Sequence, residues 1–341
     1  MDKVKIACVG LGGWGKNILR AGSQIPDAEL RAICDTNSSV LHKFASQFPG
    51  VKTYTSYHDL LMEAGIDAVL LATPAPQHFG MASEALRAGK HVYVEKPMTL
   101  TVAEAETLVQ QAETAVRTLM VGHLLEYHPA VHYLKSLIDK GDLGDLLYLY
   151  SKRLNLGVVR KEENALWSLA PHDISVILYL LGCEPERITA SGQALLQPGI
   201  EDVVFVYLQF PQGRMAQIHV SWLDPHKERK LVVVGSKKMA VFDDMHPSEK
   251  IRVYDKSAIV QWSNANSIEA ISVRHGEIQI PVIDNYEPLN KELQHFVDCV
   301  RTGETPRSDG HDGLRVIRVL EKAGRSLKAN GKMIGGEPDS A

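Results

Sequence analysis

A strand that runs straight into a glycine-rich turn opens this chain, and few features narrow a fold more. Residues 4–9 read as a β-strand, and Gly10-Leu11-Gly12-Gly13-Trp14-Gly15 follows at once, ahead of a helical pattern. The spacing is G-x-G-x-x-G. Gly10 permits a tight turn, Gly12 keeps a side chain clear of an approaching pyrophosphate, and Gly15 lets helix and strand pack closely. Gly13 and Trp14 sit in the same turn and are counted with it as cofactor-binding residues. The helix start offers N–H groups and a positive dipole end to the phosphates. Asp35 closes the second strand about 20 residues on, where an acid accepts hydrogen bonds from an adenosine ribose. Thr36-Asn37-Ser38-Ser39 bring no Arg or Lys to a 2′-phosphate, so NAD is expected rather than NADP.

Strands and helices alternate to about residue 120: strands at 29–34, 52–55, 68–72, 91–94 and 119–122, helices at 38–48, 57–64, 77–88 and 102–116. Ser38 or Ser39 is suited to cap the first of these helices, and the wholly apolar strand 68–72 suits the centre of a parallel sheet. The pattern predicts an α/β fold with an N-terminal Rossmann domain, a doubly wound parallel sheet, over residues 1–122. Beyond it, a helix starts near Pro129, a strand covers 146–152 and a helix runs from Pro171 to Leu181. Strands follow at 187–192, 202–210, 215–222, 231–234 and 239–242. This part, residues 123–330, is expected to be an α/β substrate-binding and oligomerisation domain with a large open, mostly antiparallel sheet. Its last helices, 289–301 and 310–329, are expected to return to the first domain, with 331–341 as a tail.

Composition sets outer limits. Hydrophobic residues make up 45% of the 341, enough for a packed core and too many for a disordered chain. A formal net charge of -4 argues against a general nucleic-acid surface. No apolar run approaches the roughly 20 residues of a membrane span, and no leader precedes the first strand, so a cytoplasmic protein is expected. Cys8, Cys34, Cys183 and Cys299 lie far apart and read as packed thiols, with no metal site.

Thr73 and Pro74 follow the apolar strand and His78 lies just beyond, placed to line a cofactor channel at the carboxyl ends of the strands. Glu95-Lys96-Pro97 closes the next strand. With the glycine turn, Asp35, Ala72-Thr73-Pro74, His78 and Gly122, this set resembles the Gfo/Idh/MocA family of sugar and inositol oxidoreductases along nearly the whole chain. The resemblance implies hydride transfer to NAD(P), a homodimer or homotetramer built through the second sheet, and a Lys-Pro bond that is often cis. Glu95 is then expected to contact the cofactor. Lys96 also has a role on physical grounds: a lysine at a strand's carboxyl end, beside a cationic ring and partly desolvated, has a lowered pKa and can hold the proton of a reacting hydroxyl. His172 resembles the family's second-domain histidine, which sits at the start of its helix, and its ordinary pKa suits proton transfer near neutrality. Many relatives carry an aspartate four residues earlier, where this chain has Ser168. Asp173 is adjacent, suited to orient the ring, bind a sugar hydroxyl or only cap the helix.

Two further stretches, residues 160–173 and 221–227, resemble the branch of nucleotide-sugar 3-dehydrogenases that oxidises UDP-N-acetylglucosamine at C3 before transamination. Lys152, Arg153, Arg160 and Lys161 are then expected around a substrate mouth where they would meet a diphosphate, with Asn164 and Trp167 touching sugar or uracil. A solvated charged loop is the plainer reading of the same residues. Trp222 reads as packing or subunit contact, and His219 and His226 flank it. His123, Glu126 and His128 are candidate pocket residues, though capping accounts for His128 equally well. Oxidation of another sugar or inositol, a redox-neutral NAD-dependent glycosidase, and a non-enzymatic NAD-bound sensor remain as alternatives; intact Lys96 and His172 argue against the last.

Overall fold

In the computed structural model, which describes residues 3–63, 65–264 and 267–335, the elements are β1 (Val4–Val9), α1 (Gly15–Ser23), β2 (Ala28–Cys34), α2 (Ser38–Ala45), β3 (Lys52–Tyr54), α3 (Tyr57–Leu61), β4 (Ala68–Leu71), α4 (Ala75–Arg87), β5 (His91–Val94), α5 (Val102–Ala115) and β6 (Leu119–Val121). They continue as α6 (Pro129–Asp139), β7 (Leu146–Leu154), α7 (Ala165–Leu181), β8 (Arg187–Gln193), β9 (Val203–Gln209), β10 (Met215–Ser221), β11 (Glu228–Gly235), β12 (Met239–Asp243), β13 (Ile251–Asn264), β14 (Ser267–Gln279), α8 (Pro288–Thr302), α9 (Gly310–Lys328) and β15 (Ile334–Gly335). No described helix is long and apolar enough to cross a membrane.

The chain forms two compact units. The first takes in Met1–Tyr127 and Tyr286–Arg318. Its sheet is parallel throughout, in the order β3-β2-β1-β4-β5-β6. All four residues of β4 are buried, as a central parallel strand with both faces covered requires. α8 belongs to this unit, and Leu289, Leu293, Phe296 and Val297 join Val4, Ile6, Ile18 and Leu19 in one core. Asn37 caps α2, its Oδ1 accepting from Ser39 N at 3.0 Å and Val40 N at 3.4 Å. Ser38 and Ser39 therefore lie inside the helix they were expected to cap.

The second unit takes in His128–Asn285 and Val319–Ala341, so α9 begins in one unit and ends in the other. Its nine strands run β14-β13-β12-β11-β7-β10-β9-β8-β15, antiparallel except for the β7–β10 pair. β7, β9 and β10 bury Leu149, Val204, Val206, Ala216 and Ile218, and α7 packs on these strands. α7 is apolar nearly all round, as a helix buried on most sides must be. It starts well before Pro171. Asn164 is its N-cap, and Pro171 lies in the interior at the cost of one backbone hydrogen bond. The hairpin β13–β14 was not foreseen, because its described outer part is exposed and mixes polar with apolar residues without a burial period. The expected tail begins with a strand, β15, paired with Ile188 and Arg187; residues 336–341 lie outside the described residues.

Candidate active site

A cavity of about 420 Å³ opens at the carboxyl ends of β1, β2 and β4, where the first unit's strand order reverses direction. Gly10, Gly12, Gly13, Asp35, Thr73 and Pro74 line it, as the sequence predicts, together with Thr36, Thr55, Tyr57 and Met81, which it did not flag. The four turn glycines differ in their reasons. Gly10 has φ +81°, and a Cβ there would lie 2.7 Å from Ala72 O. A Cβ on Gly15 would lie 1.8 Å from Gly10 O. A Cβ on Gly12 or Gly13 would meet no protein atom within 4 Å, so these two leave an open cradle on the cavity. Asp35 braces the turn: Leu11 N donates to Oδ2 at 2.7 Å and Asn37 N to Oδ1 at 2.9 Å. The space over Gly12 and Gly13, with an acid at the far end, fits the diphosphate and ribose of NAD.

His78 stands elsewhere than expected. It is 1% exposed and is not among the residues that line the cavity, with Nε2 2.8 Å from Thr73 O and Nδ1 2.8 Å from Pro97 O. It ties the end of β4 to the turn after β5 and does not line the cofactor channel. Burial lowers its pKa, while the two carbonyls pull the other way. The Lys96–Pro97 bond is cis. Lys96 leaves the carboxyl end of β5, next to β4 in the sheet. The preceding Glu95 accepts from Trp14 Nε1 at 2.6 Å, joining this end of β5 to the glycine turn.

His123, Glu126 and Asp312 form a second buried group in the same unit. His123 Nδ1 donates to Asp312 Oδ2 at 2.7 Å and lies 3.5 Å from Glu126 Oε1. Burial works against the His123 charge, but the bond to Asp312 and the neighbouring Glu126 raise its pKa to about 10. Burial, with the charge of Asp312 behind it, raises Glu126 to about 8. His128 proves to be a cap, its Nδ1 accepting from Ala130 N at 3.1 Å.

In the second unit several expected substrate contacts are committed to structure. Asp173 is buried and pairs with Arg153, whose Nε donates to Oδ2 at 2.6 Å, so neither residue faces an open mouth. Asn164 accepts from Trp167 N at 3.2 Å and donates to Glu201 Oε2 at 2.6 Å. Lys152 lies 3.6 Å from Glu228 and Arg160 3.1 Å from Glu163, both on exposed surface. His172, half-buried, lies in the second turn of α7 rather than at its start. Trp222 is buried as packing, and His219 stacks on Phe205 with ring centroids 4.2 Å apart.

Two family profiles match the chain: the oxidoreductase family with NAD-binding Rossmann fold over residues 4–123, and the GFO/IDH/MocA C-terminal domain over residues 131–241. The chain is 25% identical to scyllo-inositol 2-dehydrogenase (NAD(+)) of Bacillus subtilis, over 89% of this chain and 88% of the relative. It is also 25% identical to UDP-N-acetylglucosamine 3-dehydrogenase of Acidithiobacillus ferrooxidans, over 93% of this chain and 95% of the relative. A solved structure of that dehydrogenase superposes with a TM-score of 0.81 at 23% identity, covering 97% of this chain and 99% of the other, which is a likeness of fold.

Proposed function

Because the chain belongs to the Gfo/Idh/MocA family of NAD-dependent oxidoreductases that act on sugar or polyol hydroxyls, we propose that it oxidises the C3 hydroxyl of a UDP-amino sugar, with UDP-N-acetylglucosamine as the substrate to test first. The observation that carries the chemistry is Lys96 at the carboxyl end of β5, beside the strand end that lines the cofactor cavity. Gly12 and Gly13 would hold the NAD diphosphate, and Asp35 the ribose. NAD supplies the hydride acceptor when bound. Lys96 takes the hydroxyl proton as the ketone forms, and His172 serves as a second acid–base group from α7. Lys96→Met is expected to abolish most turnover and leave NADH affinity nearly unchanged, since the phosphates and ribose are held by other residues.

Support for the nucleotide sugar comes from the similarity to the 3-dehydrogenase and from the exposed cations Arg160 and Lys161. The ion pairs at Lys152, Arg153 and Arg160 favour a second reading, an uncharged polyol, in keeping with the similarity to the inositol dehydrogenase. NADH formation across a panel of UDP-sugars, free sugars and inositols separates the two. Activity on free N-acetylglucosamine equal to that on its UDP form would sink the nucleotide-sugar reading. Product without net NADH would mark redox-neutral chemistry. The sheet face bearing Tyr148, Phe205 and His219 is aromatic and partly exposed, which supports self-association through this sheet; sedimentation would measure it.

A further inference from the structure

Behind the glycine turn lies a chain of polar groups that the proposed chemistry does not use. Trp14 Nε1 donates to Glu95 Oε1 at 2.6 Å, and Lys96 N to Glu95 Oε2 at 3.3 Å. Tyr93 Oη lies 3.2 Å from Glu95 Oε1 and 3.1 Å from Glu292 Oε2 on α8. Tyr93 and Glu292 are both wholly buried. Gly122 is part of the construction: a Cβ there would lie 2.7 Å from Tyr93 Oη and 3.1 Å from the Glu95 carboxyl.

Proton counting constrains this arrangement. The Tyr93 hydroxyl has one hydrogen and two carboxyl neighbours. If both acids were ionised, one carboxylate oxygen would face the phenol's lone pairs in a dry site, with no hydrogen between them. One acid must therefore carry a proton. Glu95 collects donors from Trp14 and Lys96 as well as Tyr93, the environment of a carboxylate. Glu292 has only Tyr93, and its Oε1 has no hydrogen-bond partner among the described residues.

We propose that Glu292 is a neutral acid and a positioning residue: its carboxyl O–H donates to Tyr93 Oη, which directs the Tyr93 proton onto Glu95, and Glu95 as a carboxylate then holds Trp14 of the cofactor turn to the backbone of Lys96. The inference rests on the cofactor and lysine assignments above. It adds a residue far away in sequence that keeps the cofactor turn and the end of β5 in register. Burial raises the Glu292 carboxyl well above the usual range, and the charge of Glu95 adds to this. Glu126 acts in the same direction, and His123 opposes it. Burial leaves Glu95 raised as well, but its bonds from Trp14, Lys96 N and Tyr93 and the charge of Lys96 hold that rise below the one at Glu292.

The test uses the full chain, with NADH as the probe, so it needs no known substrate. Infrared difference spectra between wild type and Glu292→Gln should show a protonated-carboxyl C=O band at neutral pH that the variant lacks. Glu292→Gln keeps an N–H to donate to Tyr93 and should bind NADH within about twofold of wild type. Tyr93→Phe retains the ring and its edge contact with Phe296 but cuts the chain, and should weaken NADH binding roughly tenfold. Absence of the band difference would overturn the proposal. So would equal losses in Glu292→Gln and Tyr93→Phe, or wild-type binding by Tyr93→Phe. A wild-type protein that binds NADH but turns over no sugar or polyol would instead count against the proposed function.

Discussion

Gly12 and Gly15 stand three residues apart, yet alanine should damage the protein in different ways at the two positions. At Gly15 the added carbon would lie 1.8 Å from Gly10 O, an overlap with backbone that no rotamer change relieves. α1 would have to withdraw from the turn. Overpacking costs about 1–3 kcal/mol even where side chains can adjust, so ~3 kcal/mol is a fair lower figure here. In a unit of this size that corresponds to a fall of roughly 6–12 °C in melting temperature. At Gly12 the added carbon meets no protein atom within 4 Å. The fold should change by less than ~0.5 kcal/mol. NADH, however, must pass its diphosphate through that space, and a methyl in a fitted contact costs about 1–3 kcal/mol, or roughly five- to hundredfold in Kd. Thermal melting and NADH titration of the two variants side by side make the comparison. Wild-type NADH affinity in Gly12→Ala, or a wild-type melting temperature in Gly15→Ala, would refute the account of the turn.

Asp35→Ala should narrow the preference for NAD over NADP, by about 1–3 kcal/mol for one charge-assisted hydrogen bond, and equal binding of both cofactors by the wild type would contradict the ribose assignment. His123 keeps its proton up to about 10 in the fold, against ~6.5 unfolded, and Glu126 stays neutral up to about 8, against ~4.5. Both folded values are raised, so their stabilisation is complete below the unfolded values, drains away between each unfolded and folded value and is gone above the folded ones; the melting temperature should therefore fall from about pH 4.5 to about 10, most steeply between ~6.5 and about 8, with a shallower slope above ~6.5 in His123→Gln. Arg160→Ala should raise the KM for a UDP-sugar and leave that for NAD unchanged, an effect that shrinks with salt because the side chain is 55% exposed.

The features legible in the sequence are those whose physical cause is local. A tight turn between strand and helix needs glycine at fixed offsets, so Gly10, Gly12 and Gly15 disclose both the fold and the cavity. Asp35 follows because β2 must end beside that turn. Local reasoning fails where a polar side chain has two possible partners. His78 near a helix start resembles a cofactor contact until Pro97 O, 2.8 Å from Nδ1, is seen to claim it. Asp173 beside a histidine suggests sugar recognition, whereas Arg153 on β7, across the unit's own sheet–helix layer, takes its carboxylate. Asn164 in a charged loop suggests a ligand contact, but a helix beginning at Ala165 needs an N-cap there.

Glu292 shows what signal a longer-range site leaves. α8 buries Leu289, Leu293, Phe296 and Val297 on one stripe, and Glu292 occupies a position on that same stripe, three residues after Leu289 and four before Phe296. An acid at such a position would bury a charge at a cost of several kcal/mol unless it is paired or neutral. The periodicity alone therefore marks Glu292 as a group with a partner, although it cannot say which. The partner is Tyr93, a polar hydroxyl between Val92 and Val94 on β5 and two residues before Glu95. Each anomaly is weak alone: a lone acid on an apolar helix face and a lone phenol in a buried parallel strand. They answer one another only after the chain returns to its first sheet through α8, and Gly122 leaves the space in which they meet. An acid on an apolar stripe and a hydroxyl in a buried strand thus mark Glu292 and Tyr93 as groups that each need a partner, without any motif, and the fold alone pairs them.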